Sequence, residues 1–238
     1  MSRSFAAAVF RASSRYGRWI LPINARPWWR AAVVAALLAV AAPARAEPIV
    51  VLGLGDSLMA GYGLSEGSSF PNRLEAALRQ RGHDVRLVNA GVSGDTSAGG
   101  KARLEWSLAE APDAAIVEFG ANDGLRGLSP EAMRENLDAI LTTLEARGIP
   151  TLLAGMRAPP NLGREYADAF QKVYADLAAE HPVVFYPFFL DGVAADPALN
   201  QEDGIHPNSD GVAAIVERIL PTVEELLSRV KERQANRG

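Results

Sequence analysis

The 238-residue chain contains no cysteine. Disulfides, zinc–thiolate centres and a cysteine nucleophile are therefore excluded, and stability must come from the core. Histidine is nearly as scarce, with three in all: His83, His181 and His206. No internal repeat or low-complexity linker follows residue 47. The first 46 residues hold no aspartate or glutamate, although they carry seven arginines (Arg3, Arg11, Arg15, Arg18, Arg26, Arg30 and Arg45). The apolar run behind them, Ala31 to Ala42, stops at twelve residues, short of the roughly 20 that span a bilayer. Ala44-Arg45-Ala46 then offers a small-x-small cleavage site. Basic n-region, short apolar run and cleavage site together predict a signal peptide over 1–46 and a domain over 47–238. The competing reading is an uncleaved membrane-anchoring segment.

Cleavage would change the charge. Losing seven of the 24 basic residues leaves 17 against 28 acidic ones, a net charge of −11. Such a surface repels phosphate backbones, so nucleic acid is not an expected partner. A periplasmic or secreted monomer without stable membrane insertion is expected. The remaining 192 residues suit one domain with a sizeable core.

What is present is an alternation. Five short apolar runs, 49–52, 85–88, 114–117, 151–154 and 183–185, lack polar–apolar alternation, which predicts parallel strands buried on both faces. Helical stripes lie between them. Ser129 and Pro130 open one helix, with Met133, Leu137, Ile140, Leu141 and Leu144 on one face and Gly148 at its stop. Tyr166, Phe170, Val173, Tyr174 and Leu177 form a second stripe, read as core, and Val212, Ile215, Val216 and Ile219 a third. Pro221 is expected to kink or break that last helix. Strands alternating with helices imply an α/β fold, with helices on both faces of a parallel sheet. Right-handed crossovers bring every loop after a strand to one sheet edge, where ligands bind.

Three chemistry-bearing segments follow strands: Gly55-Asp56-Ser57-Leu58, Asn89 to Thr96, and Gly120-Ala121-Asn122-Asp123. A fourth, Asp203-Gly204-Ile205-His206-Pro207, precedes the last helix. A serine hydroxyl needs an adjacent base to attack a carbonyl, and neutral imidazole is suited to it. His206 is the candidate base for Ser57. Asp203 can reach its other ring nitrogen if the segment curls into one helical turn. The Gly94 N–H, the Asn122 amide and the Ser57 N–H are candidate donors to an oxyanion.

In this order these blocks resemble the SGNH (GDSL) hydrolase superfamily. Gly55 to Gly63, Ser93-Gly94-Asp95-Thr96, Gly120 to Gly127, Pro187-Phe188-Phe189 and Asp203 to Asn208 are similar to its periplasmic acyl-CoA thioesterase, lysophospholipase and arylesterase branch. The resemblance covers about residues 49–228. It implies a flavodoxin-like three-layer α/β/α sandwich with a five-stranded parallel sheet. It also implies Ser57 as nucleophile, His206 and Asp203 as its partners, and an oxyanion hole at Ser57, Gly94 and Asn122. No metal or cofactor is implied. Substrate contacts are expected at Asp56, Gly124 and Leu125, the last two in a mobile loop over about 124–129, and at Met156 and Pro159. Substrates would be aryl esters, acyl-CoA-type thioesters and lysophospholipids.

Other readings compete. Gly63-Leu64-Ser65-Glu66-Gly67 matches G-x-S-x-G, but no strand precedes Ser65, so a nucleophile elbow is not expected there. Gly99-Gly100-Lys101 fails as a phosphate loop. Asp56 and Asp123 are either further catalytic carboxylates or braces for their turns. His83 and His181 are read as solvated turn residues, and His206 alone would read as a helix cap. Rival functions are a carbohydrate O-acetyl esterase, a metal-dependent phosphoesterase using Asp56, Asp123, Asp203 and His206, and a non-catalytic binding protein.

Overall fold

The computed structural model describes residues 47–236. The expected leader and the residues on its side of the cleavage site lie outside them. Five strands, β1 (Ile49–Gly55), β2 (Val85–Gly91), β3 (Ala114–Glu118), β4 (Thr151–Ala154) and β5 (Val184–Tyr186), form one parallel sheet in the order β2-β1-β3-β4-β5. β1 pairs with β2 on one side and β3 on the other, so the strand order reverses beside it. This is the flavodoxin-like order, whose ligand crevice lies at the β1/β3 switch.

Helices α1 (Ser57–Ala60), α2 (Phe70–Gln80), α3 (Ser97–Ala102), α4 (Leu104–Ser107), α5 (Ala121–Leu125), α6 (Pro130–Ala146), α7 (Arg164–Glu180) and α8 (Ser209–Ala235) fill the connections. The helices α2 and α8 pack together on one side, and α6 packs with α3 and α7 on the other. All of β3 and β4 is buried, as expected of inner strands. β2 departs from that expectation: Arg86 and Asn89 are exposed. It is an edge strand, with one neighbour only.

The expected helix signals take physical form. Ser129 Oγ accepts from the Glu131 and Ala132 N–H groups at 3.2 and 3.4 Å, capping α6. Beyond its end, the Gly148 and Ile149 N–H groups return to the Glu145 and Leu144 carbonyls. Pro221, however, does not break α8, which runs through it for 27 residues. Interior proline costs about 3 kcal/mol. Beyond it α8 buries Val223, Leu226, Leu227 and Val230, each contributing about 1.5–3 kcal/mol. Burial outweighs the lost hydrogen bond.

β1 and β2 run three residues further than their apolar runs, pairing Gly53 with Asn89 and Gly55 with Gly91. The glycines are there for close approach. A Cβ on Gly55 would lie 2.6 Å from Glu118 Oε2, and one on Gly91 would strike the Ala60 backbone nitrogen. The α1 backbone is thereby held directly over the end of β2.

Candidate active site

Asp56 ends the turn out of β1 and caps α1, with Oδ1 accepting from the Leu58 N–H at 3.0 Å. Ser57 is therefore the first helical residue, at the carboxyl end of β1 beside the switch point. Its Oγ lies 2.8 Å from His206 Nε2. On the other side of the ring, His206 Nδ1 is 2.7 Å from Asp203 Oδ2.

The Asp203–His206 segment does not curl into a helical turn as expected. Gly204 sits at φ 69°, and Asp203 Oδ1 accepts from the Ile205 and His206 N–H groups at 2.9 and 3.0 Å. This is an aspartate-closed turn, which brings the i and i+3 side chains together without helical backbone. The hydrogen bonds from the His206 backbone and ring, then from Ile205, hold the Asp203 carboxyl down at about 2. It is ionised at neutral pH and orients the Nδ1–H tautomer, leaving Nε2 to face Ser57.

Two side chains missed from sequence secure this loop. Gln201 donates through Nε2 to the Tyr62 and Pro207 carbonyls at 2.8 and 3.0 Å, tying the histidine loop to the loop after α1. The Tyr62 ring lies against the imidazole, 4.6 Å between centroids.

Across the switch point, Asn122 stands in the first turn of α5, after β3. Its Nδ2 donates to Asp56 Oδ2 at 2.9 Å, which leaves one amide hydrogen over. Asp56 is fully buried; desolvation is the main cause raising its carboxyl to about 6. With its oxygens engaged by Leu58 and Asn122, Asp56 holds the site and has no open path to substrate, contrary to the expected contact. Glu118, the last residue of β3, lies beneath it. Burial raises its carboxyl well above the usual range, its Oε2 is 3.4 Å from the Asp56 nitrogen, and Oε1 has no protein partner. An acid closing an otherwise apolar strand was its only signal in the sequence.

Gly94 lies in the turn after β2, closed by the Asp95 N–H on the Val92 carbonyl at 3.1 Å, with φ 82° at Gly94. Arg103, also missed, braces this corner. Its guanidinium donates to Asp95 Oδ2, the Ala90 carbonyl and the Gly55 carbonyl at 2.6, 2.7 and 2.8 Å. Two backbone carbonyls and one carboxylate are thus fastened by one side chain with a fork geometry that lysine lacks.

Ser57, His206, Gly94, Asn122, Tyr62 and Leu125 line a cleft of about 170 Å³. A second hollow of about 410 Å³ shares Ala121, Leu125, Leu190 and Ile205 with it, and continues past Met156, Pro159 and Phe188. Leu125 lines both hollows, and Met156 and Pro159 line the second. Gly124 lines neither: it is buried in α5, where a Cβ would press on Pro159 at 3.0 Å.

The remaining candidates fall away. Ser65 Oγ meets Ser68 Oγ at 3.0 Å and no imidazole. Asp123 accepts from the Ser97 N–H and Oγ at 2.9 and 2.6 Å, anchoring α3. Lys101 donates to Asn136 at 2.9 Å, and Gly100 packs under the Phe119 ring. His83 and His181 are not simply solvated, because α8 and α6 run past the lower sheet edge and supply carboxylates. His83 meets Glu224 at 3.2 Å, and His181 meets Asp138 and Glu145 at 2.8 and 3.2 Å. Among the described residues no group of three or more His, Asp or Glu is placed to hold a metal ion.

Residues 54–214 match the profile of the GDSL-like Lipase/Acylhydrolase family. The chain belongs to this family. It is 40% identical over 193 residues to Esterase TesA of Pseudomonas aeruginosa, covering 81% of this chain and 95% of the relative. It is 39% identical to Thioesterase 1/protease 1/lysophospholipase L1 of Escherichia coli K12, over 75% of this chain and 85% of that one. The crystal structure of AlinE4, an SGNH-hydrolase family esterase, matches at 49% identity and a TM-score of 0.65, covering 76% of this chain and 97% of that one. Family membership makes the chain an ester hydrolase, and its sheet is the one these hydrolases carry.

Proposed function

We propose that the chain hydrolyses acyl esters and thioesters through an acyl-enzyme on Ser57, with Asp203 and His206 completing its triad. The observation that carries this reading is the unbroken relay from Asp203 Oδ2 through His206 to Ser57 Oγ, at 2.7 and 2.8 Å. His206 takes the serine proton as Oγ attacks the acyl carbon, then returns it to the leaving oxygen or sulfur. Water repeats the cycle on the acyl-enzyme and frees the acid. The Ser57 and Gly94 N–H groups and the second Asn122 amide hydrogen are the donors to the tetrahedral oxyanion. The apolar hollow past Leu125, Met156 and Pro159 suits an acyl chain. Aryl esters, acyl-CoA-type thioesters and lysophospholipids are the proposed substrates, in keeping with the names of the relatives.

The signal-peptide features of residues 1–46 support export to the periplasm or medium as a mature chain starting at Glu47. No helix among the described residues is long and apolar enough to cross a membrane.

Treatment with a phosphonofluoridate tests the mechanism. It should abolish turnover and leave a phosphonyl group, the reagent less HF, on the peptide holding Ser57, while EDTA leaves the rate unchanged. Ser57→Ala should be inactive yet folded. Full activity in Ser57→Ala, or labelling at Ser65, would refute the assignment. A panel of aryl ester, thioester, lysophospholipid and acetylated sugar then ranks the substrates.

A further inference from the structure

We propose that Arg126 is a positioning residue that holds the Gly94 turn over the cleft, at its working distance from Asn122. The inference rests on the acyl-enzyme reading above and concerns a residue outside the reacting set.

Gly94 occupies the third position of the turn Val92–Asp95, with φ 82°. Positive φ there is the mark of a type II turn. Types I and II differ by a rotation of the central peptide through about 180°. In this turn the central peptide is Ser93–Gly94, the one that carries the Gly94 N–H. Flipping it would point the proposed donor away from the cleft. The positive φ of Gly94 fixes the type II form, and what the turn itself leaves open is its place over the cleft.

The loop itself offers little. Gly94 is exposed, and a Cβ built on it would meet a single atom within 4 Å, Arg126 Nη2 at 3.8 Å. Arg103 grips Asp95 from behind and leaves the Gly94 face open. That face is held by Arg126, whose Nη2 donates at 2.5 Å to the Gly94 carbonyl, in the peptide next after the central one, and so anchors the turn to α5. A charged donor makes this one of the stronger kinds of hydrogen bond.

Arg126 is also tied to the other donor. It ends α5, with its own N–H on the Asn122 carbonyl at 3.1 Å. One residue thus links the helix that presents the Asn122 amide to the turn that presents the Gly94 N–H. These come from loops after β3 and β2, strands that do not pair with each other. Arg126 sets their separation at the top of the cleft, where the sheet does not reach. Its charge is directed at a backbone carbonyl, so a neutral substrate should feel its loss as strongly as an anionic one.

Steady-state kinetics on a neutral aryl acetate test this, with Arg126→Ala, Arg126→Lys and a charge control, Arg164→Ala, at an exposed position far along the chain. Arg126→Ala should lower kcat about tenfold, equivalent to about 1.4 kcal/mol. That is less than the roughly 10²–10³ expected for deleting a donor. KM should stay within about twofold, since the oxyanion exists only in the transition state. The lysine variant should recover part of the loss, and Arg164→Ala should match wild type. Hydrogen exchange at the Gly94 amide should quicken in Arg126→Ala and not in the control. A raised KM with unchanged kcat would make Arg126 a substrate contact and overturn the proposal. A lowered melting temperature with unchanged kcat would overturn it too. Ser57→Ala, run in parallel, separates the two ideas. If it is dead while Arg126→Ala is wild type, only the clamp fails; if it is active, the mechanism beneath the clamp fails.

Discussion

At the scale of single residues, the site contains a charge that works against folding. The Asp56 carboxyl, raised to about 6 by burial, binds its proton more tightly in the folded chain than in the unfolded one. Protonation therefore favours folding, and that stability is lost as pH rises from the ordinary carboxylate value of 3.8 through about 6, above which the loss is complete. One pKa unit corresponds to about 1.4 kcal/mol, so the ionised group costs roughly 2–3 kcal/mol at neutral pH. Asp56→Asn removes the titration. Its melting temperature, taken relative to wild type, should climb between pH 4 and pH 7, and a gap independent of pH would contradict this. Retaining such a charge is understandable if its ionised form orients Asn122. Asn122 itself should then matter to the chemistry. Asn122→Ala is expected to lose about 10²–10³ in kcat with little change in KM. Measuring kcat and melting temperature on one sample decides the matter, because a brace alone would lower the second and spare the first.

At the scale of elements, the lower edge of the sheet has its own electrostatics. His181 lies just past the end of α7 and joins that helix to Asp138 and Glu145 on α6. Burial opposes its charge, but the two carboxylate bonds outweigh it and raise its pKa above the usual value. A raised histidine contributes stability that is full below its unfolded value, about 6.5, and fades as pH rises through the folded value. The melting-temperature difference between wild type and His181→Gln should accordingly be larger at pH 6 than at pH 8.5. An equal difference at both would show that the ring acts by packing alone. The upper edge works differently. There Arg103, Gln201 and the Asp56–Asn122 bond fasten loops from four connections, with neutral or fully engaged partners.

At the scale of the molecule, the side chains buried from Ile49 to Val230 build one core around the sheet. A chain beginning at Glu47 should therefore fold and hydrolyse an aryl ester without the residues before it. Circular dichroism, a single melting transition and the esterase rate of residues 47–238 check this. Loss of cooperative melting would mean that the earlier segment supports the fold.

Much of this was legible in the chain itself. Continuous apolar runs placed β1, β3 and β4, because inner strands of a parallel sheet are buried on both faces; the partly buried edge strands β2 and β5 were marked by shorter or interrupted apolar stretches. The Ser129 cap and the stripes on α6 and α7 read correctly, because capping and 3.6-residue periodicity are local. Ser57, His206, Asp203 and Asn122 stood out because each belongs to a short block next to an element end. What sequence reasoning misjudged depends on non-local contacts. Pro221 stays helical because of what α8 buries beyond it. Asp56 and Gly124 lie under other loops instead of facing the cleft. Asp203 reaches His206 through an aspartate-closed turn, not a helical one. Arg103 and Gln201 carry no local pattern, and nothing local says what Glu118, closing an apolar strand, or Arg126, inside the Gly120 to Gly127 block, will touch. Their roles arise only where the strand order reverses and brings the ends of β1, β2 and β3 within reach of one another, a distance that the tertiary structure alone decides.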